Sequence, residues 1–145
     1  MIEKGKYPNW QLWTARLLIA AVVGWNLQVA YVFLFSPKFF LSSFELSGIP
    51  GEAAVRGMAV LFMMWNVPYL VALWHPRRYK ISLYEAMAMQ TMGLIGESFI
   101  LSTLGTGFPF LHTSIMRFIA FDAAGLFFLI IAFWLSRPPK RLSRE

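Results

Sequence analysis

Residues 114–136 read SIMRFIAFDAAGLFFLIIAFWLS. At a rise of 1.5 Å per residue, a helix of this length is long enough to cross the roughly 30 Å of hydrocarbon in a bilayer. The apolar residues continue all the way round such a helix, whereas the strands of a membrane barrel alternate in polarity. The stretch therefore predicts a transmembrane helix.

Three further stretches have a similar composition: residues 11–35, 53–74 and 83–104. The 145-residue chain is 58% hydrophobic and only 14% charged, whereas soluble proteins average about 25% charged residues. We therefore expect one all-α integral membrane domain over residues 1–145, with four transmembrane helices. Because the connections are short, neighbouring helices should be antiparallel and form an up-down bundle.

The basic residues predict the orientation, because short cytoplasmic loops collect Lys and Arg. They lie before the first helix, between the second and third, and after the fourth: Lys4, Lys6, Arg77, Arg78, Lys80, Arg137, Lys140, Arg141 and Arg144. Both termini are therefore predicted to be cytoplasmic, in a multi-pass protein of the cell membrane. This topology and attraction to anionic lipid account for the net charge of +6, so membrane lipids, not nucleic acid, are the expected partners.

Ionisable residues within the apolar stretches are the candidates for function, because a charge in hydrocarbon costs several kcal/mol unless it is paired, hydrated or neutralised. Helical rise puts Arg56 and Arg117 about 5 Å below the outer boundary, Glu97 about 10 Å and Asp122 about 13 Å. The complete outer group is Glu97, Asp122, Arg56, Arg117, Gln90, Asn26 and Gln28. Two interpretations stay open: an ion-pair and hydrogen-bond lock between helices, or a polar pocket for a ligand or proton.

The third helix gives the pocket its best support. Gln90 and Glu97 are seven residues apart and so share a face, with Gly93 between them to open space. Glycine in a membrane helix also permits close packing, which is the competing interpretation. A smaller inner group consists of Arg16, Glu85 and Asn66, and we expect Arg16 and Glu85 to pair between the first and third helices.

Methionines and aromatic residues line parts of the second and third helices: Met63, Met64, Trp65, Tyr69, Met87, Met89 and Met92. If these faces meet, they form a soft wall that suits a quinone or a lipid tail and equally suits a packed core. The connection over residues 36–52 is rich in Phe and Pro. We expect it to lie on the helices, either as a headgroup anchor or as a substrate lid.

Several reaction classes lack their usual residues. The chain has no cysteine, which excludes cysteine nucleophiles and thiolate metal ligands. His75 and His112 are predicted at opposite membrane faces, so no metal site is expected. The G-x-S-x-G, Walker and H-E-x-x-H motifs do not occur, which removes the signatures of hydrolases and ATPases. Whether the chain is an enzyme stays open.

The junction into the second helix carries a family resemblance. The turn Gly48-Ile49-Pro50 leads into PGEAAVRG at residues 50–57, and with the four-helix layout the chain resembles the DoxX-like group of small bacterial membrane proteins. That resemblance implies a link to membrane redox complexes and quinone-associated oxidation, and it carries no catalytic residue across.

Two functions are therefore predicted as alternatives. The first is an accessory or structural subunit of a membrane redox or quinone-linked complex, with other membrane subunits or a second copy as partners. The second is an autonomous lipophile- or quinone-binding protein, or a small membrane enzyme, that uses the outer polar pocket. The cofactor stays open, with a quinone or a lipid as the candidate ligands.

Overall fold

The computed structural model describes residues 9–137, and this part of the chain is all-helical. Its four α-helices are α1 (Asn9–Phe35), α2 (Gly48–Trp74), α3 (Lys80–Thr103) and α4 (Pro109–Ser136). Two short 3-10 helices, Pro37–Phe40 and Ser42–Phe44, follow α1. The terminal cations that support the predicted orientation lie outside the described residues: Lys4, Lys6, Lys140, Arg141 and Arg144.

Two helices begin earlier than the apolar stretches predict. α2 begins at Gly48 instead of residue 53, and α4 begins at Pro109 instead of residue 114. The first turn of a helix makes no use of its backbone N–H groups, so Pro50 and Pro109 are accommodated there. The connection after α1 is correspondingly shorter than predicted and covers residues 36–47.

Three helices of the described chain, α1, α2 and α4, are long and apolar enough to cross a membrane. This finding supports a membrane protein with transmembrane helices, as the composition predicts. α3 is less apolar because it carries Lys80, Glu85, Gln90 and Glu97. A fourth span through α3 stays a prediction.

The helices pack in a ring, in which α1 and α3 each contact both α2 and α4. Arg16, early in α1, donates a 3.1 Å hydrogen bond to the carbonyl of Leu73 at the end of α2. The rings of Tyr84, early in α3, and Phe133, late in α4, lie 5.0 Å apart. Within each of these pairs the two helices therefore run in opposite directions.

The two ends of the ring differ in amino-acid composition. We call the end formed by residues 36–47 and 104–108 the aromatic end, and the end formed by residues 75–79, with Arg77 and Arg78, the basic end. At the basic end the buried core contains four alanines, which let helices approach closely, among larger apolar side chains: Ala15, Ile19, Val22, Val23, Tyr69, Ala72, Leu83, Ala86, Leu129 and Ala132. At the aromatic end it consists of Phe33, Val55 and Ala59 with packed phenylalanines around them.

Hydrogen bonds attach the connection after α1 to α4. Glu45 has a left-handed backbone conformation, with φ of 53°. Its Oε1 accepts hydrogen bonds from the backbone N–H groups of Phe110 at 3.0 Å and Leu111 at 3.4 Å, which would otherwise be unpaired in the first turn of α4. Ser114 donates a 2.6 Å hydrogen bond to the carbonyl of Ser43. The connection therefore lies on the helices, as its composition predicts.

Candidate functional site

A chain of two hydrogen bonds, one buried and one partly buried, links three helices between the two cores. The hydroxyl of Tyr69 on α2 donates to Oε1 of Gln90 on α3 at 2.7 Å. Nε2 of Gln90 donates to Oδ1 of Asp122 on α4 at 2.8 Å. Tyr69 and Gln90 are 2% and 5% exposed. Both ends of the Gln90 amide are therefore used, and this fixes the orientation of that side chain.

Two glycines make room for this network. Gly93 lies one turn after Gln90 in α3, and a Cβ atom added there would overlap the carboxylate of Asp122. Gly125 lies one turn after Asp122 in α4, and a Cβ atom added there would lie 2.6 Å from Nε2 of Gln90. The space at Gly93 is therefore filled by the Asp122 side chain, which is the close packing expected as the alternative to a pocket.

Glu97 lies one turn beyond Gly93, at the wall of a cleft near the aromatic end. Its Oε2 atom is buried and has no hydrogen-bond partner within residues 9–137. The cleft has a volume of about 290 Å³, and apart from Glu97 its lining is apolar or aromatic. The other lining residues are Phe44, Met58, Leu61, Phe62, Trp65, Ile100, Leu111, Ile115 and Phe118. We call it the Glu97 cleft.

The predicted ion pairs between the outer arginines and Glu97 or Asp122 are not formed. Arg56 lies 3.6 Å from Glu52, four residues earlier in the same helix, where side chains share a face. Arg117 has no carboxylate oxygen within 4.0 Å in the described part of the chain. The interhelical contact of Asp122 is thus a hydrogen bond to an amide and not a salt bridge.

The polar residues of α1 do not join the network. Asn26 is half-buried and Gln28 is exposed. Neither side chain makes a hydrogen bond to Gln90 or Asp122 among the residues that the structure describes.

The inner group is also dispersed. Arg16 donates to the Leu73 carbonyl and lies over the ring of Trp13, 4.8 Å from its centroid, while Glu85 is exposed on the surface of α3. The predicted pair between Arg16 and Glu85 is therefore not formed. Asn66 is fully buried and donates a 2.7 Å hydrogen bond to the Phe62 carbonyl within α2. Its Oδ1 has no partner in the described chain.

Two members of the network are missing from the predicted site, Tyr69 and Gly125. The sequence contains a signal for the second of them, since Gln90 and Gly93 in α3 have the same spacing as Asp122 and Gly125 in α4. In two antiparallel helices this spacing sets each polar side chain against the glycine of the other helix. Tyr69 has no comparable signal and is indistinguishable from its apolar neighbours by spacing.

The proposed methionine wall is largely on the outside of the ring. Met63, Met64 and Met92 are exposed, whereas Met58 and Trp65 line the Glu97 cleft. Within the described residues, no group of three or more His, Asp or Glu side chains is arranged to hold a metal ion.

Comparison of the chain with models of known protein families, with curated proteins and with solved structures finds no match. The resemblance to DoxX-like proteins therefore stays a prediction. The hydrogen-bonded network and the Glu97 cleft are the features on which a function must rest.

Proposed function

We propose that this chain is a membrane protein that binds a lipophilic molecule in the Glu97 cleft, with a hydroxyl group of that molecule on Glu97. The observation that carries the proposal is the Oε2 atom of Glu97, which is buried and unpartnered among the described residues. Burying a polar group without a hydrogen bond costs free energy, and burying a charged one costs more. Because Glu97 lines the cleft, the hydroxyl group of a ligand there can donate to its carboxylate the hydrogen bond that the described residues do not.

The other residues that line the Glu97 cleft indicate the chemistry of the rest of the ligand. Its walls combine the rings of Phe62, Trp65 and Phe118 with aliphatic side chains, which is the composition of a site for a flat apolar group. A quinol meets both requirements, because its ring is flat and its hydroxyls donate hydrogen bonds. A hydroxylated lipid is the other member of this ligand class.

The arrangement in the membrane is part of the proposal. All four helices cross the bilayer as an up-down antiparallel bundle, in a bacterial inner membrane, with both termini in the cytoplasm. The support is the cluster of Arg77, Arg78 and Lys80 at the basic end, which short cytoplasmic loops favour. α3 crosses despite its polar residues because Gln90 is hydrogen-bonded inside the ring and Glu97 faces a cleft. Glu97 then lies in the outer half of the membrane.

A second candidate function is an accessory subunit of a membrane redox or quinone-linked complex. The observation that favours it is a row of large exposed apolar side chains on α3, the least apolar of the four helices: Met92, Ile95, Phe99 and Ile100. A neighbouring subunit, or a second copy of this chain, would cover that row. In that case the Tyr69–Gln90–Asp122 network serves only to hold the helices together.

Native mass spectrometry of the protein, extracted gently from its own membrane, separates the two candidates. The proposal predicts one small lipophilic molecule per chain, with the mass of a quinol or a hydroxylated lipid. Stoichiometric partner chains without such a molecule would instead support the accessory subunit. A chain that carries neither would contradict both.

A further inference from the structure

Within residues 9–137, Arg117 is a cation near the aromatic end that has no carboxylate partner. Glu45 accepts two backbone N–H groups of α4. Glu52 lies 4.0 Å from Lys38 and 3.6 Å from Arg56. Arg117 has no carboxylate within 4.0 Å among residues 9–137. It is exposed on α4, two turns after the helix begins at Pro109. Glu45 and Glu52 are thus already engaged, and Glu97 lines a different cleft from Arg117.

Arg117 lines a second cleft, between α1 and α4, with a volume of about 200 Å³. We call it the Arg117 cleft. Most of its lining is apolar, with two serines: Val29, Val32, Phe33, Phe40, Ser43, Phe44, Ser114, Phe118 and Phe121. The hydrogen bond from Ser114 to the Ser43 carbonyl ties the two polar members together. The cleft therefore combines aromatic walls with a cation that has no carboxylate partner in the described part of the chain.

The two clefts are separate sites with a common wall. Both are lined by Phe44 and Phe118, whose rings are stacked with centroids 6.0 Å apart and planes inclined by 9°. Arg117 lines only the cleft beside α1, and Glu97 lines only the cleft beside α2 and α3. A ligand of the Arg117 cleft therefore needs no contact with Glu97.

A phospholipid has both groups that the Arg117 cleft can bind, a phosphate and an acyl chain. A guanidinium group at the edge of the hydrocarbon is stabilised by a phosphate, which its planar set of donors binds in a bidentate manner. An apolar groove next to that cation accepts the first carbons of an acyl chain. Inorganic phosphate can bind only the guanidinium group, and diacylglycerol can bind only the apolar groove.

We propose that the Arg117 cleft binds one phospholipid, with the lipid phosphate on Arg117 and part of an acyl chain along Phe33 and Phe121. This site is independent of the proposed lipophile at Glu97. Arg56 makes no comparable site, because it already lies 3.6 Å from Glu52 and its Nε donates to the Leu34 carbonyl at 3.4 Å.

The test is a lipid titration of the purified, delipidated full-length protein in detergent, followed by native mass spectrometry. The probes are a phosphatidylglycerol, a diacylglycerol with the same acyl chains, and inorganic phosphate as competitor. The variants are Arg117→Gln, Arg117→Lys and, as the matched control, Arg56→Gln. Circular dichroism of each variant verifies that the helical fold is retained.

We expect wild-type protein and Arg56→Gln to retain one phosphatidylglycerol molecule with equal affinity. Arg117→Gln should bind phosphatidylglycerol at least tenfold more weakly, and Arg117→Lys should bind it with intermediate affinity. Wild-type protein should bind diacylglycerol only weakly, with the affinity that Arg117→Gln has for phosphatidylglycerol. Millimolar inorganic phosphate should not displace the lipid. Equal binding by Arg117→Gln and wild type, an equal loss in Arg56→Gln, or displacement by free phosphate would overturn the proposal.

Discussion

Gln90 and Asp122 are joined across α3 and α4 by a 2.8 Å hydrogen bond, and each of them faces a glycine of the opposite helix. Hydrogen bonds between membrane helices contribute on average only about 0.6 kcal/mol. The main effect of this pair is therefore to specify how α3 and α4 are aligned, because sliding either helix would move Gln90 and Asp122 away from the glycines that leave room for them. The hydrogen bond from Tyr69 to Gln90 aligns α2 with α3 in the same way.

Substitution of Gly93 by alanine should destabilise the protein. The new methyl group would overlap the Asp122 carboxylate, so either the hydrogen bond to Gln90 or the spacing of the two helices must change. Overpacking of this kind costs about 1–3 kcal/mol. Thermal unfolding in detergent should show a lower midpoint for Gly93→Ala than for wild type.

Gly96→Ala in the same helix is the matched control. A Cβ atom at Gly96 has no atom within 4 Å, and alanine favours a helix by about 1 kcal/mol relative to glycine. Gly96→Ala should therefore unfold at the wild-type temperature or slightly above it. If Gly93→Ala and Gly96→Ala unfolded at the same temperature, the network would not depend on close packing at Gly93.

Removal of the Tyr69 hydroxyl should also lower stability. Tyr69→Phe keeps the ring in its buried position but leaves Oε1 of Gln90 without its donor, at an expected cost of about 0.5–2 kcal/mol. Tyr31→Phe is the control, since Tyr31 is 64% exposed. Unfolding midpoints that fall equally in both variants would show that the hydroxyl bond to Gln90 contributes nothing specific.

The sequence predicts position along a helix better than rotation about the helix axis, because helical rise is constant. Arg56, Arg117 and Glu97 lie nearer the aromatic end of their helices, whereas Asp122 lies at the middle of α4. Their pairing depends on which face of each helix meets its neighbour, and helices that are apolar all round give no periodic signal for that face. Arg56 consequently pairs with Glu52 in its own helix, an interaction that the four-residue spacing alone could indicate.

The Glu97 cleft illustrates a second limit of prediction. The apolar stretches locate Glu97, but its cleft is formed by side chains from α2, α4 and the connection after α1, including Phe62, Ile115 and Phe44. The shape of such a space depends on packing over the whole fold. By contrast, the paired spacing of Gln90 with Gly93 and Asp122 with Gly125 is local and could be found in advance.

The proposed topology predicts that the two ends of α3 lie on opposite sides of the membrane. The chain has no cysteine, so a single introduced cysteine reacts without background. In cells with a permeabilised outer membrane, Thr106→Cys at the aromatic end should react with a membrane-impermeant maleimide. Arg78→Cys at the basic end should react only after the inner membrane is opened. Labelling of both sites from the same side would show that α3 does not cross.

Replacement of Glu97 by leucine should separate ligand binding from stability. The substitution removes a carboxylate with a buried, unpartnered oxygen in the described chain, so the protein should unfold at the wild-type temperature or above it. The same substitution removes the acceptor for the ligand hydroxyl. Glu85→Leu, on the exposed surface of α3 nearer the basic end, is the matched control.

The most direct measurement of the central claim is the amount of a decyl-substituted benzoquinol that each purified variant retains, compared by native mass spectrometry under identical conditions. The account predicts one retained molecule per chain in wild type and Glu85→Leu, and at least a tenfold lower occupancy in folded Glu97→Leu. Equal retention by Glu97→Leu and Glu85→Leu would contradict it.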